Sequence, residues 1–152
     1  MTPERAFIVK WWDEAWRDGL WAAPWSKAID GLTAAQAAWA PTGVDGKPRY
    51  SIHQYVLHMI FWREGWLRRV ATGVKLTEAE KATGNFPVLT DLSEDAWRRD
   101  REHLEDTQRR MLAALKTSGP EGDTLIYFLP HDAYHIGQIM LIRAMLGFPP
   151  IE

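Results

Sequence analysis

SIHQYVLHMIFWREGWLRRV, residues 51–70, decides the fold. Ser51, with Gln54 three residues on, has the chemistry of a capping box, so a helix opens here. Ile52, Val56, Met59, Trp66 and Val70 follow as one apolar stripe at helical period. Such a stripe is stable only against other helices. His58 falls about 100° from its centre, on a shoulder shared with Tyr55 and Trp62. Gly65, two turns further along the same side, leaves space beside it. His53 lies about 140° around the axis from His58, so one straight helix cannot offer both to one ion.

The flanking sequence supplies the partners. Arg5 to Asp18 reads as a first helix with Phe7, Ile8, Trp11, Trp12 and Ala15 on one side and Gly19 as its stop. Trp21, Pro24 and Trp25 then suggest a bend and a short helical piece. Thr33 and Gln36 form another capping box, and Pro41 to Pro48 is a loop. After helix two, Thr72 to Pro87 is a long connection with a helical turn expected over Thr77 to Lys81. Ser93, Glu94 and Asp95 open a third long helix, whose acidic first turn suits the macrodipole. Its inner face is Trp97, Leu104, Gln108, Met111, Leu112 and Leu115, and Ser118-Gly119-Pro120 ends it.

A chain of 152 residues, 46% apolar and 25% charged, fits one domain with an ordinary core. Four long helical segments and no alternating strand predict an all-α, up-and-down type four-helix bundle with short helical turns in its connections, a single domain over 1–152. A net charge of −2 gives no footprint for nucleic acid or an anionic membrane. No run is long enough to span a bilayer and no signal peptide is evident, so a cytoplasmic protein is expected. The absence of cysteine excludes disulfides and a protein thiol nucleophile. Nine tryptophans must line the core or a pocket; Trp11, Trp12, Trp62 and Trp66 are candidates for an apolar wall, with bundle core the commoner role.

The chemistry concentrates in PHDAYHIGQ, residues 130–138. Pro130 is read as the first turn of a helix running to Leu146, preceded by a short turn over Thr124 to Leu129. Its inward face would be His131, His135, Gln138, Ile139, Ile142 and Leu146. Histidines four apart stack on one face and can offer two nitrogens to one metal ion. Spacing alone equally allows two structural histidines bonded to carbonyls. Gln138, one turn below His135 on the same side, is placed to hydrogen-bond a ligand or an outer-shell group. His58 is the candidate third ligand, because bundles build metal sites from facing side chains. His53 is the rival for that position, though nearer the helix start and on the opposite shoulder it is expected to bond locally or face solvent, and His103 is expected to lie on the surface. Asp132 is a weak candidate for a base or a supporting group; its ordinary role would be an acidic residue in a first helical turn. Glu64, about 120° from His58, is poorly placed as a base.

HDAYHIGQI (131–139) together with SIHQYVLHM (51–59) resembles the DinB/YfiT superfamily of metal-dependent enzymes. That resemblance covers most of the chain and implies a four-helix bundle with an open three-histidine site, frequently dimeric. Carried over by motif position, the metal ligands are His58, His131 and His135, with nickel or zinc as the metal, and His53 has no ligand role. Gln138, Tyr55 and Trp62 are then candidates to support the ligands or touch substrate. Three imidazoles leave a divalent ion open positions, the arrangement of catalytic sites. The resemblance implies hydrolysis or transfer of a low-molecular-weight thiol, on a small-molecule substrate. The competing readings are a non-catalytic metal- or ligand-binding bundle and a bundle whose histidines hold no metal. A homodimer is expected, its face unassigned.

Overall fold

The computed structural model describes residues 2–117 and 119–151. The chain is an all-α helical bundle built on four long helices: α1 (Pro3–Arg17), α4 (Ile52–Thr72), α6 (Glu94–Thr117) and α7 (Phe128–Met145). The short helices α2 (Trp25–Ala28), α3 (Ala34–Ala38) and α5 (Glu78–Gly84) lie in the connections, and a 3-10 segment, Pro120–Tyr127, leads into α7. Among the described residues the only extended pairing is an isolated bridge between Thr42 and Pro48, inside the predicted loop. Ser118, expected to help end the third helix, lies outside the described residues. Among the described residues no helix is long and apolar enough to cross a membrane.

The helix starts follow their caps. Thr33, Ser51 and Thr77 each accept from the backbone N–H three residues on, and Gln36, Gln54 and Glu80 return the bond. The Ser51 box sets the direction of α4 and therefore of His58. Ser51 is buried, and Gln54 also donates to the Pro87 carbonyl at 3.2 Å. Ser51→Ala should cost about 1 kcal/mol, read as a lower urea midpoint at unchanged slope; an unchanged midpoint would show that the cap contributes nothing.

α6 packs against α1, α3 and α4, while α7 packs on α4 and α2. Between them Trp12, Ile52, Val56, Met59, Trp97, Leu104, Met111, Leu115 and Ile139 are almost wholly buried. The buried indoles find partners for their N–H groups: Trp97 donates to the Leu32 carbonyl at 2.9 Å and Trp12 to the Gln108 carbonyl at 3.4 Å. Arg143 reaches back from α7 to cap α2, donating to the carbonyls of Ala28 and Asp30.

The last helix departs from its predicted start. α7 begins at Phe128, which puts Pro130 at its third position and not its first. The first four N–H groups of a helix have no intrahelical partner, so a proline there forfeits no bond. The shift puts His131 at the fourth helical position, two further along than predicted, and the inner face changes. Asp132, Ile136 and Arg143 are buried along with His135, Ile139 and Ile142, whereas His131, Gln138 and Leu146 are half-buried.

Candidate metal centre

α4 and α7 bring His58, His131 and His135 together, each offering a ring nitrogen within 4.8 Å of the others'. His58 and His135 are buried and His131 is half-buried. His53 is not part of the group. It is 1% exposed, contrary to the expectation of a local bond or solvent, and its Nε2 lies 2.6 Å from Asp100 Oδ2 on α6, with its ring edge-on to Trp97. The start of α4 is clasped by α3 and α6, which leaves no solvent on that shoulder. His103 is on the surface, as expected, but shares Glu64 with Arg110. Glu64 is thus held away from the triad in a surface network.

The orientation of the three rings is set from behind. His58 Nδ1 donates to the Asn85 carbonyl at 2.7 Å, His131 Nδ1 to Asp132 Oδ1 at 2.7 Å, and His135 Nδ1 to Gln138 Oε1 at 2.7 Å. A carbonyl and a carboxylate can only accept, so the hydrogen sits on Nδ1 and the neutral ring keeps a bare lone pair on Nε2. His58 Nε2 and His131 Nε2 are 3.1 Å apart. Two lone pairs facing at that distance repel unless a cation lies between or beside them. Nitrogens each about 2.0–2.1 Å from one zinc-like ion lie about 3 Å apart at right-angle to tetrahedral geometry, so the residues fit such an ion.

The electrostatics favour the ligating form. Burial pushes the His58 imidazole down to about 4; the Asn85 carbonyl opposes the shift and the other two histidines add to it. Burial lowers His135 as well, against the Gln138 hydrogen bond and with His131 adding to the shift. Both rings are therefore neutral at neutral pH, the state that binds metal. Tyr55 lies buried with its ring centroid 5.4 Å from that of His135, and burial raises its phenol above the ordinary range.

Three groups were not legible as site residues. Phe86 stacks on His58 with ring centroids 4.1 Å apart and planes 11° from parallel. Asn85 holds His58 through its backbone and takes the Trp62 indole N–H on Oδ1 at 2.8 Å. Neither carries a sequence signal, since both lie in the connection after α5. Arg63 does carry one: it interrupts the apolar stripe of α4, which implies a buried acidic partner. That partner is Asp132. Arg63 donates from Nε and Nη2 to Asp132 Oδ2 at 2.9 and 2.8 Å, and from Nη1 to the Leu104 carbonyl and Thr107 Oγ1. Its guanidinium also lies over the Trp12 ring. Asp132 is wholly buried; although burial opposes ionisation, Arg63 and the His131 hydrogen bond hold its carboxyl below the usual carboxylate range. It supports His131 and faces away from the space between the rings.

That space opens into a hollow of about 440 Å³ lined by His58, His131, His135, Trp62, Phe128 and Tyr134, with Asn85 and Tyr127 at its edge. The three-histidine group could hold a metal ion with its open side toward this hollow. Comparison with curated proteins and with solved structures gives no match. The sequence model of the DinB superfamily matches residues 21–142, which include the capped start of α4, the pair on α7 and every group that holds the three rings from behind, and the chain belongs to the DinB superfamily.

Proposed function

We propose that the protein is a metal-dependent enzyme acting on a small molecule, with His58, His131 and His135 as ligands of nickel or zinc. The observation that carries this reading is the inward-facing set of Nε2 atoms, each ring held from behind by an acceptor, at the floor of an aromatic hollow. Imidazole suits both metals. Bound there, the ion would activate water or a thiol at neutral pH, the chemistry of hydrolysis or thiol transfer. The protein's own part is to fix three neutral rings, to keep the open side dry with Trp62, Phe128 and Tyr134, and to leave room for substrate. With no cysteine in the chain, a thiol would arrive with the substrate.

One observation favours a second reading, a binding protein without turnover. Among the described residues no carboxylate or amine lines the hollow, so none of them offers a side-chain general base near an incoming substrate other than the histidines and tyrosines. Parallel screens for ester or amide hydrolysis and for thiol conjugation, on protein loaded with nickel or zinc, separate the two. Turnover that disappears with a chelator and returns with metal supports the enzyme; stoichiometric metal without turnover in either screen supports the binder.

Gln138 gives a finer test. Removing the acceptor behind His135 in Gln138→Ala should weaken metal binding about 10–100-fold while leaving the unfolding midpoint of metal-free protein nearly unchanged. Unaltered affinity would show that His135 does not depend on this bond.

A further inference from the structure

The hollow over the histidines has a neighbour that is also largely apolar but carries cationic side chains. Trp62 and Phe128 line both, with Tyr127 at their shared rim. The second hollow, about 300 Å³, continues along α4 past Gly65 and Trp66 to Arg69, and its outer wall carries Lys75 and Lys81. His58, Trp62, Gly65 and Arg69 fall within about 60° of one another around the α4 axis, over about 16 Å of its length. They form one floor. Among the described residues no Asp or Glu lines either hollow. Lys75 is exposed. Among the described residues Lys81 pairs with Glu78, a neighbour three residues back whose side chain is 90% exposed. Pairs of that kind exchange readily, so a ligand anion displaces Glu78 at small cost. Arg69 lines the same hollow and is engaged in a contact of its own.

We propose that the ligand is an elongated amphipathic anion, its apolar end among Trp62, Phe128 and Tyr134 beside the three imidazoles and its anionic group at Lys75 and Lys81. The position of the reacting end rests on the metal-enzyme reading above; the anion end does not. An apolar lining cannot orient a small molecule by itself, and charge at one end of the tract gives it a direction.

Decanoate, decanol and decylammonium test this by calorimetry at low salt, on metal-free and zinc-loaded protein. Decanoate should bind roughly tenfold more tightly than decanol in both states, and decylammonium more weakly than either. The double variant Lys75→Gln/Lys81→Gln, both changes at the surface, should bring decanoate to the level of decanol, and His131→Ala should keep the preference. Equal binding of acid and alcohol overturns the proposal, as does a preference that survives loss of both lysines. A preference that needs zinc and vanishes in His131→Ala also overturns it, since the carboxylate would then be on the metal. Failure of zinc to bind at all would sink the metal reading and leave the metal-free arm to decide this one.

Discussion

Asp132→Ala is expected to destabilise the protein by about 3–5 kcal/mol, measured as ΔG of unfolding in urea on metal-free protein. The size follows from what remains. Arg63 is 1% exposed and keeps its Nη1 partners, Leu104 O and Thr107 Oγ1, but Nε and Nη2 lose the carboxylate with no water to replace it. An uncompensated buried guanidinium is far costlier than the pair is stabilising, because the intact pair has already surrendered most of its hydration. The two changes should therefore not add: Arg63→Met with Asp132→Ala should be less damaging than the sum of the single variants, by about 1–3 kcal/mol. A single-variant cost below about 1 kcal/mol would mean that water reaches Arg63 and that the pair is not buried in solution. Asp132→Asn separates structure from ligand support. It keeps an acceptor for His131 Nδ1 while removing the charge that balances Arg63, so its stability should fall much further than its metal affinity.

The same pair marks where reading the sequence succeeded and where it stopped. Caps and apolar period are local, and Ser51 with Gln54, or Thr33 with Gln36, announced helices that exist because both halves of each box are made. That His58, His131 and His135 come together was legible because residue type and helical spacing are properties of single elements. Gln138 was legible for the same reason, one turn from the ring that it holds. The departures arise from contacts between elements. His53 looked like a local or solvent residue, since nothing near it in the chain shows that α6 supplies Asp100. Asp132 looked like a first-turn acid until α4 placed Arg63 against it. Asn85 acts through a carbonyl, which every residue has, so no sequence pattern could single it out. Proline is commonest at a helix start, which is why Pro130 predicts one; with the 3-10 segment before α7 the start lies two residues back, at Phe128.

Zinc or nickel should raise the unfolding midpoint of the wild-type protein, and loss of any one triad histidine should abolish that rise. Metal that binds the folded state alone stabilises it by an amount set by the ratio of free ion to dissociation constant, about 4 kcal/mol at a thousandfold ratio. With two imidazoles on α7 and one on α4, a bound ion would be a tie between helices, and loss of any one imidazole would open the site. His58→Ala, His131→Ala and His135→Ala should thus each leave the metal-free midpoint within a few degrees of wild type and remove most of the metal-induced shift. His53→Ala should do the reverse. It removes a buried ring from between Trp97 and Asp100, lowering the metal-free midpoint, yet it touches none of the three rings and should leave the metal-induced shift intact. This crossed outcome is what distinguishes the assignment from a general effect of histidine loss. If His53→Ala erased the shift while one of the triad variants kept it, the ligand set would be wrong, and with it the reason for placing chemistry at the mouth of the aromatic hollow.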